Sequence, residues 1–550
     1  MAELALSGIF IDEQNGPEHA IGRVAAGVTA FVGRALKGPL DTPVVLGSFA
    51  DYQRIFGGLW QPSALSYAIE QFFECGGTSA IVVRVANGAQ PPTISLRAGA
   101  QVLTLTGLAP GSREWLRASV DYDGLQANEP EQFNLVVQRL RSAGSELIED
   151  QEIYRRLSLH ADSPRFVVDA LSVSRLVRVS GELPTHRPDR SPPAISGAVV
   201  GYSGTNTDGD DGQAITDYDI IGSAHSNSGL FALRAAPHFS LLCIPPLSRT
   251  VDVGASTLLI ASRLCRERNA MLAVDPPAQW SSTAAAMTGI AAWPFRSDNA
   301  MLFFPRLVAV DRLRGRYEVF ASCGAVAGLM ARADAPSPWR GMAALDDDYL
   351  LRTGMRPACS VSQAERVRLA QAGVNTLLAS SAATVTHARD ASNIVPLRTL
   401  AMGHAGAGDW RHLAMRRLAL LIASSIEQGT RWVMFEHNAP PLWQRARSQV
   451  AAFLEALDQE GAFGPVHEHT NYFVICDERL NTPESLAERK FHLLYGFATM
   501  RHGEFHGFLV THHAGASSVR QVVVNRLATS GREVEAEIET SLLRGLTPAH

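Results

Sequence analysis

An α/β architecture of mixed α+β character, spread over several domains, is the fold class this sequence predicts. Three observations carry it. Short apolar, β-prone runs alternate with segments of helical period, as in Leu241-Leu-Cys-Ile244, the helical stretch 255–268 and Met271-Leu-Ala-Val274. A tract of short strands separated by turn clusters interrupts that alternation between residues 91 and 197. The length of 550 residues, at roughly 100–200 per domain, suggests three or four domains, and 46% hydrophobic against 19% charged residues allows a sizeable core.

Taken in order, residues 1–22 read as an arm. Gly8, Ile9, Phe10 and Ile11 form a short β-prone run before Asp12-Glu-Gln-Asn-Gly-Pro17, and one short strand cannot bury itself. Residues 23–90 begin the α/β pattern. Residues 28–32 are β-prone and 49–56 are mixed. Leu65, Ala68, Ile69, Phe72 and Phe73 recur at helical spacing until Gly76-Gly77 stops the helix, and Ala80-Ile-Val-Val-Arg-Val85 reads as a buried strand. Residues 91–197 form a β-rich insertion with strands expected at 93–96, 102–106, 117–122, 133–138 and 176–179. Prolines 184, 188, 192 and 193 mark a linker. Residues 198–370 form a middle α/β domain. Residues 371–515 form a C-terminal domain, with helices over 412–428 and 441–460 and strands over 431–436, 472–476 and 505–511. Pro441 sits near the first turn of the second helix and Gly461 just past its end. Residues 516–550 are an extension, β-prone at 519–527 and then charged over 531–546, where an amphipathic helix is expected.

The composition excludes several classes. A net charge of -5 gives no global basic field for nucleic acid. Six cysteines are scattered singly, so zinc-knuckle and CxxC redox motifs are absent and reduced, buried thiols are expected. No apolar run approaches the roughly 20 residues of a spanning helix, and Met1-Ala-Glu-Leu-Ala-Leu6 lacks a basic n-region, so a protein made and folded in a cytoplasm is expected. No GxSxG, Walker A or strand-following GxGxxG signature occurs. Asn206-Thr-Asp-Gly-Asp-Asp-Gly212 crowds oxygen ligands as a calcium loop would, but lacks the downstream bidentate Glu; a tight turn is the plainer reading. His467 and His469 share a face if extended, without HExxH spacing or a third ligand; His502, His506, His512 and His513 cluster near the end of the domain. Arg411, Arg416, Arg417, Arg445 and Arg447 lie on the two late helices, either as a solvated face or as a dock for an acidic surface.

The late stretch closely resembles the C-terminal domain of contractile tail sheath proteins. The likeness rests on Ser424-Ser-Ile-Glu-Gln-Gly-Thr-Arg-Trp-Val-Met-Phe-Glu436, Pro441-Leu-Trp443, Phe453-Leu454 and Gly461-Ala462, with Arg398-Thr-Leu400, Trp410, Arg416-Arg-Leu418, Gly496-Phe-Ala498 and Glu504-Phe505 around them. The N-terminal part is similar to the same family through Ser7-Gly-Ile-Phe-Ile-Asp-Glu13, Thr29-Ala-Phe-Val-Gly33, Gly38-Pro39, Ser48-Phe-Ala-Asp-Tyr52, Phe56-Gly-Gly58 and Val83-Arg-Val85. Asp275-Pro276, Ala331-Arg-Ala-Asp334 and Trp339 are weaker echoes. The insertion lacks the Gly/Trp/Asn-rich opening expected after Pro110, 403–409 is looser than the family loop, and 514–550 runs past its usual final strand.

The resemblance implies a sheath core built from N- and C-terminal segments, with inserted β-rich and α/β domains and extended terminal arms. It implies a structural rather than catalytic protein, with no cofactor and no metal. Subunits stack as a helical tube around an inner tube and shorten on triggering at a baseplate. The partners so implied are further copies of the chain, an inner tube protein, and baseplate and tail terminator or cap proteins, with no nucleic acid and no direct membrane insertion. Residues 8–12 would add to the late sheet of a neighbour, and a second arm in 505–512 (Phe508, Leu509, Val510) or 519–527 would do likewise. Arg416 and Arg417 would face the inner tube. A metal-dependent enzyme on an α/β scaffold and a non-contractile tube or shell protein are the alternatives.

Overall fold

The computed structural model describes residues 20–522, apart from 126–130, 193–200, 335–349, 353, 380–394, 402–407, 464–470 and 499–504. The chain divides into two units, residues 26–413 and residues 1–25 with 414–550.

The first unit opens with β1 (Thr29–Gly33), β2 (Val44–Leu46), α1 (Phe49–Phe56), α2 (Ala64–Glu74) and β3 (Ala80–Arg84). Ser48 and Ser63 cap the two helices by accepting from the backbone N–H groups of Asp51 and Ser66. The chain then leaves for the insertion, made of β4 (Thr93–Ala98), β5 (Gln101–Gly107), β6 (Trp115–Asp121), β7 (Gln132–Leu140), β8 (Ile148–Ser158), α3 (Val167–Ser172), β9 (Val177–Ser180) and β10 (Ser203–Gly204). Strands β4-β5-β9 and β10-β6-β7-β8 form two antiparallel sheets around one core that includes Leu103, Leu105, Val120, Phe133, Leu135 and Leu176.

On its return the chain forms α4 (Asp217–Ile221), β11 (Leu241–Cys243), α5 (Ala255–Glu267), β12 (Met271–Val274), α6 (Thr283–Ala292), β13 (Ala300–Phe304), the hairpin β14 (Leu307–Asp311) and β15 (Arg316–Phe320), and α7 (Cys323–Asp334). Then come β16 (Leu350–Leu351), β17 (Arg356–Pro357), α8 (Gln363–Gln371), β18 (Val374–Thr376) and β19 (Leu378–Ala379).

One seven-stranded sheet in the order β18-β13-β12-β11-β1-β3-β2 runs through this unit. Only β2 is antiparallel to its neighbour. The stretches 23–90 and 198–370, read from the sequence as separate regions, therefore share a sheet, and β18 extends it past residue 370. Both faces are covered, which explains the unbroken apolar runs of β1, β3, β12 and β13. Leu258, Leu264, Ile290 and Leu369 of α5, α6 and α8 join one core with Val32, Leu242 and Leu302. On the other side Phe31 meets Phe72 of α2 at 5.4 Å, and the Cys243 thiol reaches the Cys323 carbonyl of α7 at 3.5 Å.

Helices α2 and α7 approach closely through Gly324 and Gly328. A Cβ at either position would collide with the Ala68 or Phe72 carbonyl oxygen. Beside them Asp311, fully buried, accepts from Arg249 (2.5 Å), Gln61 (2.9 Å), Tyr67 (3.1 Å) and the Leu313 N–H (2.9 Å). Burial opposes its charge, but these hydrogen bonds prevail and hold its carboxyl at about 2.

The second unit contains α9 (Leu413–Gly429, its first residue assigned to the other unit), α10 (Pro440–Gln459), β20 (Tyr472–Ile475), α11 (Pro483–Ala487), β21 (Phe491–Ala498), β22 (Phe505–His513) and β23 (Ala516–Val522). The strand expected over 431–436 is instead a 3-10 helix, Arg431–Phe435. Only Val433 of it is buried, and Phe435 is 91% exposed, so the run has no sheet to join. Residues 20–25 lie along this unit. Ile21 packs on Gly429, the Val24 N–H donates to Ser425 Oγ (3.1 Å), and Arg23 pairs with Glu460.

Replacing Gly324 by Val should force α2 and α7 apart and destabilise the chain by about 3 kcal/mol, as overpacking of a tight contact does. A denaturant midpoint indistinguishable from wild type would show that the helices do not depend on this contact.

Candidate assembly interface

The second unit's sheet has the order β20-β21-β22-β23, antiparallel throughout. Every residue of β21 is buried, so its apolar run lacks the alternation of a half-buried strand. On one face Phe508 stacks on Tyr495 (5.5 Å) and Phe497 (5.7 Å), and Phe497 on Phe463 (5.1 Å). On the other Phe473, Leu494, Phe505 and Leu509 form a separate cluster with Ile475 and Val522.

A hydrogen-bond relay ties the hairpin β22–β23 to the end of α9. Thr430 Oγ1 donates to the Ile426 carbonyl (2.6 Å), so it accepts from His512 Nε2 (2.8 Å). His512 Nδ1 is then the acceptor for Ser517 Oγ (2.7 Å), which fixes a neutral tautomer. His492 is likewise buried, with Nδ1 3.0 Å from Thr511 Oγ1. Burial, then the positive charges of Arg431 and His513, pushes His512 down to about 4. Burial, then Lys490, does the same for His492.

The two edges of this sheet differ. At β20, Arg447 Nε donates to the Val474 carbonyl (3.0 Å), capping part of the edge with a side chain. At β23, no strand pairs with the outer edge among the described residues. Its residues are mostly exposed, apart from Val522.

Two solved structures share this architecture along most of the chain. A sheath tail protein from Listeria innocua is 13% identical over 90% of this chain and 96% of its own, with a TM-score of 0.57. The sheath complex of the PVC extracellular contractile injection system, in its contracted state, is 14% identical over 91% and 96%, with a TM-score of 0.50. The chain has the tail sheath fold. At these identities the likeness is one of fold. No protein-family model and no curated protein matches the sequence.

Within the sheath fold the expected site residues fall in three groups. Gly8, Ile9, Phe10 and Ile11 lie outside the described residues, as do His467, His469, His502 and 531–546; what is described is the root of the arm at 20–25. Phe508, Leu509 and Val510 occupy an interior strand, buried and hydrogen-bonded on both sides within the same chain. This corrects their assignment to an exchanged arm: β22 has no free edge to offer. Of the other arm expected at 519–527, residues 519–522 close the hairpin as part of β23. Arg416 and Arg417 are each only 8% exposed and engaged in other contacts, which corrects their placement on an accessible inner face. Arg445 stacks over Trp432 at 4.9 Å and pairs with Glu436, so the late arginines are committed within the chain.

The Asp-rich loop is a turn and a return path. Its backbone pairs antiparallel with the outgoing chain at Asn87, Gln90 and Thr93. Gly212, at φ 69° and against the Asn87 carbonyl, has no room for a side chain. Asp211 accepts from the Ser112 N–H and Oγ, both at 2.8 Å. Among the described residues no three His, Cys, Asp or Glu side chains are grouped to hold a metal ion. Past the carboxyl ends of β1 and β3 the chain is tied to itself by two arginines. Arg84, 1% exposed, donates to the Ala35 and Gly38 carbonyls, and Arg34 to those of Asp211 and Gly212. No described helix is long and apolar enough to cross a membrane.

His492 and His512 are neutral in the fold but take protons near 6.5 when unfolded, so their contribution is complete above pH 6.5 and is lost as the pH falls toward 4. Thermal melts between pH 7.5 and 4.5 should show this decline, and His512→Gln should flatten it. An equal slope in the variant would remove His512 from the account.

Proposed function

We propose that the chain is a structural sheath subunit that polymerises into a helical tube around an inner tube and, on contraction, drives it through a target envelope. The observation that carries this reading is the fold likeness to sheath proteins over about nine-tenths of the chain, one of them in a contracted sheath complex. The partners are further copies of the chain, an inner tube protein, a baseplate, and terminator or cap proteins. The particle is a phage tail, a tailocin or an extracellular injection system, made in a bacterial cytoplasm. The protein is not an enzyme in this reading and takes no cofactor.

Continuity of such a tube comes from strand exchange. Residues 8–11 supply the apolar β-prone run, and the open edge of β23 is the kind of edge it would extend. The root at 20–25, tied by Ile21, Arg23 and Val24, fixes where the arm leaves. Contraction is then a choice between two packings of connected subunits. A preference of about 1 kcal/mol per subunit, the scale of one modest interaction, sums to a large driving force along a tube.

Negative-stain microscopy of the purified chain, alone and with its inner tube, should show hollow tubes. Monodisperse particles at high concentration under both conditions would refute the reading. Deleting residues 1–16 should leave a folded, soluble subunit that no longer forms stable tubes; normal tubes from that deletion would end the strand-exchange argument.

A further inference from the structure

The insertion stands on the rest of its unit by the ends of its strands. Its chain leaves and returns through the antiparallel pairing of Asn87, Gln90 and Thr93 with residues 207–213. Beside that entry the Gly111 N–H donates to the Gln90 carbonyl (3.2 Å), and the Ser112 N–H to Asp211 (2.8 Å), so the approach to β6 is bound there. The core of the insertion shares no residue with the core that holds Val32, Leu242 and Leu302. The orientation of the insertion is therefore set by contacts at its base rather than by a common core of these two.

The far side of the same base lies over α1. Trp115 at the start of β6 pairs with Leu140, and Leu140 with Ile148 at the start of β8. Neighbouring strands lie about 4.8 Å apart, so β8 begins roughly 10 Å to one side of the entry. Between it and α1 runs a groove of about 810 Å³, with Gly38, Gln53 and Arg54 on one wall and Leu147 and Ile148 on the other. Among the described residues one hydrogen bond joins the two walls, from Lys37 Nζ to Glu149 Oε2 at 2.7 Å. Both of its ends are positioned. The Lys37 N–H donates to the Phe56 carbonyl at the end of α1 (3.2 Å), and Glu149 belongs to β8. The two side chains are 9% and 22% exposed, so water competes little for either charge while the bond is made. The other carboxylate at the groove, Glu114, is matched inside the insertion by Arg139 at 2.7 Å, and Lys37 and Arg84 attract it from further away.

We propose that Lys37 and Glu149 form a releasable strap. The bond holds the β8 side of the insertion down on α1, and on its release the insertion tilts about the entry at residues 87–93 and 207–213. An ion pair suits this task. Either charge left alone in the groove is strongly disfavoured, whereas parting both into water is not, because hydration returns much of the lost attraction. The strap is a property of one subunit and stands whether or not the chain forms tubes.

The test is single-molecule fluorescence transfer in the full chain, with labels on Val173→Cys in the insertion and Leu259→Cys on α5. These positions are 78% and 66% exposed, and Cys359→Ser removes the native thiol that is not buried. Wild type, Lys37→Met, Glu149→Gln and the double variant are compared in about 0.1 M and about 1 M salt, with melting curves to establish folding. Each single variant should raise the population of the tilted form by about tenfold or more. Salt should raise that population in the wild type. The double variant should go no further than Lys37→Met alone and should ignore salt. Single variants with the wild-type distribution would show that the entry alone fixes the insertion and would overturn the strap. So would effects that add in the double variant, since the two residues would then act through separate contacts. A wild-type distribution unmoved by salt would overturn it as well, even where a variant fails to fold.

Discussion

The parallel pairing of β1 with β11 holds the first unit together. Thr29, Ala30 and Phe31 meet Leu241, Leu242 and Cys243 across about 200 residues of intervening chain. Without that ladder the two β-strand series would be separate small sheets, each with an open inner edge. With it the order runs outward in both directions from the β1–β11 junction, and helices find two faces to cover. The closure entropy of so long a loop grows only slowly with its length, so a folded module in the loop is tolerated. The insertion supplies its own core and asks little of the sheet beyond a fixed exit and return.

Past the carboxyl ends of β1 and β3 a second set of bonds ties the chain to itself. Arg84 and Arg34 bond there to backbone carbonyls, including those of the loop that returns from the insertion. Two guanidinium groups thus pin three segments of chain together. The buried Asp311 does comparable service at the base of the β14–β15 hairpin, fixing it to α2 through Tyr67 and to the loop carrying Arg249. Both arrangements spend charge on rigidity.

Local pattern made much of this legible. Strands β1, β3, β11, β12 and most of the insertion follow from apolar runs, and α10 from its proline start and glycine stop. Pairing between distant parallel strands leaves no local mark, so the single sheet spanning the insertion was beyond periodicity. Strand β8 carries acids, then arginines, with little burial, and is not among the strands expected from pattern. The run Arg431–Phe435 has strand composition but lies between two helices, and position overrides propensity. Arg416 and Arg417 show the limit for candidate sites: charge suggests a wet surface, while long aliphatic stems allow burial. For Phe508 to Val510 the β-prone character is legible, but whether an edge strand or an interior one results depends on β23, a polar sequence whose pairing the hairpin decides.

The insertion leaves and re-enters through a narrow neck. Gln90 and Asp210 exchange backbone hydrogen bonds at 2.9 and 3.0 Å, Gln213 donates to Asn87 at 2.8 Å, and Thr93 to Thr207 at 3.0 Å. The two ends of the module are therefore adjacent and zipped together before the module begins. Geometrically the module behaves as a plug-in part: removing it leaves a gap that a tight turn can span, and another domain with neighbouring termini can take its place. A chain built this way can change or exchange the module while its sheet stays in register, so the two parts of the molecule are free to diversify on separate clocks.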